Sequence, residues 1–127
     1  MAALRILIVE EDRKIVEQLR DTFEEEGTDI EIALTLELGL TILHDRRMDL
    51  VIINLQTTKE KVRKAAVVLK KMKLGSRILI SVPNKHVKDF KKKFPSRSTR
   101  IYFYSAETQG IEKLMSEAKK EIRNLRG

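Results

Sequence analysis

The sequence predicts a single α/β domain spanning residues 1–127, a doubly wound parallel sheet of five strands with helices on both faces. Three observations predict it. Five short apolar runs rich in Ile, Val and Leu are each followed by a segment whose apolar positions recur at helical spacing. The strand-then-helix alternation is unbroken by any linker or low-complexity tract, which is the pattern of a parallel sheet with crossover helices. A length of 127 residues suits one hydrophobic core and is too short for two.

The first strand is read from "RILIV", Arg5 to Val9, whose near-continuous apolarity suits a strand covered on both faces. From Arg13 a helix follows, with Ile15, Val16, Leu19 and Phe23 on one stripe and a stop at Gly27. "DIEIA" alternates, as expected of a strand near a sheet edge, and Leu36, Leu40 and Leu43 mark a second helix. "DLVII" is the third strand. The helix after it, about residues 59 to 73, buries Val62, Ala65, Ala66, Leu69 and Met72 and turns Lys and Arg outward. "SRILISV" is the fourth strand, closed by Pro83, and Val87, Phe90 and Phe94 mark a short, very basic fourth helix. "RIYFYS" is the fifth strand, and Ile111, Leu114, Met115, Ala118, Ile122 and Leu125 mark the last helix.

Composition narrows the classes of function. There is no Cys, which removes disulfides, thiol catalysis and thiolate metal sites together and suits a reducing cytoplasm. The longest apolar runs fall far short of a membrane span, so a cytoplasmic protein without a membrane role is expected. The net charge of +7 is unevenly spread: residues 1–58 carry 6 Lys/Arg against 13 Asp/Glu, residues 59–100 carry 15 against 2, and residues 101–127 carry 5 against 4. The middle third, at +13, is suited to an acidic partner, nucleic acid included.

In a doubly wound sheet, ligands collect at the C-terminal ends of the strands. The residues ending the strands are Glu10, Glu11 and Asp12 after the first, Asn54 after the third, Ser81 after the fourth, and Tyr104 or Ser105 after the fifth. No Gly-rich turn follows the first strand, which argues against a dinucleotide site or a P-loop. The bland readings are solvated acids around a helix N-terminus for Glu10, Glu11 and Asp12, and a turn residue bonded to nearby backbone N–H groups for Asn54. Ser81 reads as a cap or turn, and His44 and His86 as surface residues with no second ligand at metal spacing.

These strand ends, with "RILIVEED", "MDLVIINL" and "RILISV", resemble the receiver domain of bacterial response regulators, a flavodoxin-like fold that takes phosphate from a histidine kinase. The resemblance covers essentially the whole chain. It implies a metal-binding acid pair at Glu10 and Glu11, a phosphoacceptor at Asn54, a switch hydroxyl at Ser81 and a lysine at Tyr104, or at Ser105 if the register moves by one residue.

Two of these five groups are absent and one is altered. Asn54 is a neutral amide where the family has the attacking Asp, no cation occupies the lysine position, and Glu11 stands where the family normally has Asp. "LQTTKEK" also lacks the Pro and Gly usual after the third strand. The resulting expectation is an atypical receiver of a two-component-like pathway, not an enzyme and with no metal or cofactor, Glu10 and Glu11 being the only candidate cation ligands. It would act independently of phosphate as a protein-interaction module. By the resemblance, its partner surface is the fourth helix, fifth strand and last helix, with Lys85, Lys88, Lys91, Lys92, Lys93, Tyr102 and Tyr104. An acidic protein or a second copy would be complementary. The alternative is nucleic-acid binding through residues 59–100, set against the absence of any helix-turn-helix, RNA-recognition or zinc-finger signature.

Overall fold

The computed structural model describes residues 3–54, 58–72, 75–105 and 110–127. Strands β1 (Arg5–Val9), β2 (Asp29–Ala33), β3 (Leu50–Ile53), β4 (Arg77–Ser81) and β5 (Ile101–Tyr104) form one sheet in the order β2-β1-β3-β4-β5. Every pairing is parallel. Helices α1 (Arg13–Glu24), α2 (Leu36–Asp45), α3 (Lys59–Met72), α4 (Val87–Lys93), α5 (Ser96–Thr99) and α6 (Gly110–Arg126) fill the crossovers.

The period of two along each strand divides the core into two layers. Leu7, Val9, Val51, Ile53, Ile78, Ile80, Ile101 and Phe103 pack with residues of α2, α3 and α4, including Leu43, Val62, Leu69, Phe90 and Phe94. Ile6, Ile8, Leu50, Ile52, Leu79 and Tyr104 pack with Leu19 and Phe23 of α1 and Leu114, Ala118 and Ile122 of α6. β1, β3 and β4 are sandwiched between these layers, which is why their sequences read as unbroken apolar runs. β2 lies at the edge, and its Ile30, Glu31 and Ile32 are only half-buried.

Local chemistry ends the helices where the sequence places the stops. Asp12 caps α1 by accepting from the Lys14 N–H at 2.9 Å, and Thr35 caps α2 by accepting from the Leu38 N–H. After α1 the chain turns at Gly27, whose φ of +71° is open to glycine without strain.

Two features depart from the sequence reading. A 3-10 turn, Asn84–His86, precedes α4, and the short α5 follows Pro95, whose carbonyl accepts from the Ser98 and Thr99 N–H groups. Neither contains an apolar repeat, so periodicity could not find them. Lys73, placed at the end of α3, and the side chain of Ile111 lie outside the described residues. Among the described residues, no helix is long and apolar enough to cross a membrane.

Candidate functional site

The sheet delivers its chemistry at one end. β1 and β3 are neighbours in register, Val9 opposite Ile53, and the Asn54 N–H donates to the Val9 carbonyl at 3.0 Å. Glu10 and Asn54 therefore leave the sheet side by side. The Asn54 Nδ2 donates to Glu10 Oε2 at 2.8 Å, and the other oxygen, Glu10 Oε1, accepts from the Asp12 N–H at 3.2 Å.

Tyr104 comes from two strands away. It lies level with Ser81 on β4, its carbonyl accepts from the Val82 N–H at 2.8 Å, and its ring reaches over β4 so that the hydroxyl donates to Asn54 Oδ1 at 3.3 Å. That bond is long for an O–H donor. Its partners nevertheless fix the amide's orientation, since the carboxylate requires the Nδ2 side and the phenol takes the carbonyl side. Ser81, level with Tyr104 on β4, favours the ionised form of the phenol. The result is a side-chain chain, Glu10 to Asn54 to Tyr104, laid across the C-terminal ends of the strands with Ser81 beside it.

Burial sets its electrostatics. Glu10 is 3% exposed, and loss of hydration pushes its carboxyl above the usual range, although the Asp12 N–H and the Asn54 amide each draw it back. Tyr104 is 5% exposed. Burial first, and the Glu10 charge second, hold its phenol well above the usual value of 10.0, with Ser81 acting weakly in the other direction.

The three acids after β1 part company. Glu10 is buried, so it is not a solvated acid. Asp12 is the helix cap, and Glu11 is exposed, lining a groove of about 380 Å³ between α2 and α3 with Thr35, Glu37, Lys61 and Ser81. Asn54 engages the side chains of Glu10 and Tyr104; the loop residues after it, 55–57, on which the turn reading rests, lie outside the described residues. Among the described residues there is no group of three or more His, Cys, Asp or Glu side chains that could hold a metal ion. His44 is exposed, and His86 is half-buried in the 3-10 turn.

The expected interaction face needs correction at one residue. Tyr102 and Tyr104 share one parity of β5 and point toward α6, whereas Phe103 points under α4 and packs against Phe90 with ring centroids 5.0 Å apart. Tyr104 is 5% exposed, so it forms part of the floor of that face and little of its outer surface. Lys85, Lys88, Lys91, Lys92 and Lys93 are exposed. Tyr102, half-buried, lines a groove of about 800 Å³ along the β5 edge with Lys91 of α4 and Lys113, Glu117, Lys120 and Glu121 of α6. Sequence reasoning missed the burial of Tyr104: the alternation Ile101, Tyr102, Phe103, Tyr104 puts both tyrosines on one face, and only the packing of β5 against β4 and α6 separates a half-buried Tyr102 from a buried Tyr104.

No protein-family model and no curated protein matches the chain. Solved structures do. A CheY-like response regulator receiver domain protein from Methanospirillum hungatei is 19% identical over 98% of each chain, with a TM-score of 0.66. The receiver domain of a Francisella response regulator is 16% identical, covering 95% of this chain and 98% of the other, with a TM-score of 0.72. The response regulator TrrA from Thermotoga maritima, crystallised with Mg²⁺ and beryllium fluoride, is 23% identical, covering 93% of this chain and 98% of the other at a TM-score of 0.64. The chain has the flavodoxin-like fold of CheY-like response regulator receiver domains.

Proposed function

We propose that this chain is an atypical receiver-type domain of a two-component-like signalling pathway. In this reading it works in the cytoplasm as a protein-interaction module, accepts no phosphate and catalyses no reaction. The observation that carries the reading is the hydrogen-bonded chain Glu10–Asn54–Tyr104, which fills the ends of the strands with the chain's own side chains. A neutral amide has neither the charge nor the oxygen nucleophile to attack phosphorus. A phenol whose proton is held firmly by burial cannot replace a cation in stabilising charge on a transferring phosphoryl group.

Magnesium does not fit this donor set. Mg²⁺ demands near-ideal octahedral oxygen geometry. Here one carboxylate is inside and already engaged at both oxygens, the amide oxygen accepts from Tyr104, and Glu11 is exposed, lining the adjoining groove with Lys61 and Ser81.

With the strand ends closed to phosphate, function passes to a surface. The groove along β5 supports this reading: Tyr102 supplies a half-buried aromatic anchor on a rim of mixed charge, where Lys113 is paired with Glu117 and Lys91 and Lys120 supply cations for an acidic protein surface. The acidic first segment of a second copy is complementary in the same way.

Incubation with a small-molecule phosphodonor and Mg²⁺, followed by intact mass, tests the silent site. Neither the wild-type protein nor Asn54→Asp should gain stable phosphate, because the variant still lacks a cation at Tyr104 and an Asp at Glu11. A stable gain of one phosphate by the wild type would overturn the reading. Ready phosphorylation of Asn54→Asp would overturn the roles assigned to Glu11 and Tyr104.

A further inference from the structure

The strongest one-signed feature of the molecule is the outer face of α3 and α4, which borders the groove at the strand ends through Lys61 and the β5 groove through Lys91. α3 and α4 cover the same side of the sheet, and Lys59 at the start of α3 reaches Asp89 of α4 at 3.3 Å, joining the two helices at their surface. Together, residues 59–72 and 84–93 carry eleven Lys and Arg against two acids. Both acids are already occupied: Glu60 is paired with Arg63 at 2.7 Å, and Asp89 is held by Lys59 and Lys93. Lys61, Lys64, Lys70, Lys71, Lys88 and Lys92 are all exposed, and among the described residues none of them is in an ion pair.

Helical geometry arranges these charges in rows. Arg63 with Lys70, and Lys64 with Lys71, are each seven residues or two turns apart, which places like charges ~10 Å apart along the helix axis. All four are exposed. The surface has little to offer a protein. Val68 is its one exposed large apolar side chain, and protein interfaces are depleted in Lys and enriched in aromatic and apolar anchors. Compact, hydrated ammonium groups in quantity, with no aromatic platform among them, are suited to phosphate oxygens.

From this surface we infer that the joined α3–α4 face binds the phosphate backbone of duplex nucleic acid without reading its sequence. The attraction is electrostatic, between lysine ammonium groups and phosphates, and its driving force is the release of condensed counterions. It is a second surface, distinct from the Glu10–Asn54–Tyr104 chain and from the Tyr102 groove, with Lys61 at its border on the groove beside Ser81. Lys91 alone among the α4 lysines belongs to the Tyr102 groove.

The test is fluorescence anisotropy of a labelled random-sequence DNA duplex with the full chain, over a series of salt concentrations. Binding should be measurable at low salt, and log Kd should rise linearly with log salt. The triple variant Lys64→Gln, Lys70→Gln, Lys71→Gln, all at exposed positions, should bind more weakly, with the slope reduced by about 0.9 for each phosphate that the variant no longer neutralises. Tyr102→Phe should bind as the wild type does. Absence of binding at low salt, or an unchanged slope in the triple variant, would overturn the inference. Equal affinity and slope with polyglutamate or with anionic lipid vesicles would overturn the assignment to nucleic acid.

Discussion

Asn54 holds two buried groups in place at once. Its amide nitrogen satisfies Glu10, and its oxygen accepts from Tyr104, so neither polar group is left unpaired in a site where an orphaned donor or acceptor costs about 1–3 kcal/mol. That Asn54 is an amide and not a carboxylate is legible in the sequence, and with it the expectation of an inactive phosphoacceptor position. The sequence did not suggest that Asn54 is the middle of a chain, because that depends on a ring reaching across an intervening strand.

Tyr104 offers a direct test of that arrangement. Its phenol is held above 10.0 by burial and by the Glu10 charge. For an acid whose value is raised by folding, the stabilising contribution is fully present below the unfolded value and is lost as pH rises toward the folded one. In a Tyr102→Phe protein, Tyr104 is the single tyrosine. Its phenolate absorbance should appear well above pH 10, in step with alkaline loss of structure. Titration near 10 with the fold intact would mean that the ring is open to solvent.

The elements were more legible than the packing between them. Strands buried on both faces announce themselves as apolar runs, and Gly27 marks the end of α1 by its chemistry, whereas Asp12, read as a solvated acid, is the cap of that helix. The 3-10 turn and α5 were hidden because they are set by Pro95 and local carbonyls instead of by a repeating face. The depth of Tyr104 was not legible, because the parity of β5 gives both tyrosines the same face and the difference in their burial comes from tertiary packing.

Gly39 exposes another relation between elements. It sits inside α2 over β1, where a Cβ would lie 2.7 Å from Val9 Cγ2 and 3.8 Å from Ala33 Cβ. Val9 is β-branched and buried, so it has little room to yield. Gly39→Ala gains roughly 0.5–1 kcal/mol of helix propensity but faces an overpacking cost of about 1–3 kcal/mol. A net loss on the order of 1 kcal/mol, read as a lower urea midpoint with an unchanged m-value, is the expected result.

For the molecule as a whole, the charge asymmetry visible in the sequence is spread over distinct surfaces. The basic middle third supplies the α3–α4 face, the β5 edge carries a mixed groove, and Glu10, Asn54 and Tyr104 are linked by hydrogen bonds at the strand ends. The sequence located the charge, but only packing could divide it, because helix adjacency is set by strand order and not by distance along the chain.

The central claim is that the strand ends are already filled and so do not respond to a metal ion and a phosphoryl group. Backbone amide spectra of isotope-labelled protein, recorded while Mg²⁺ and then beryllium fluoride are added, measure this most directly. The amides of Glu10, Asn54, Ser81 and Tyr104 should keep their positions throughout, and α4 should show no linked change. Saturable shifts at those four residues, carried on into α4, would contradict the account.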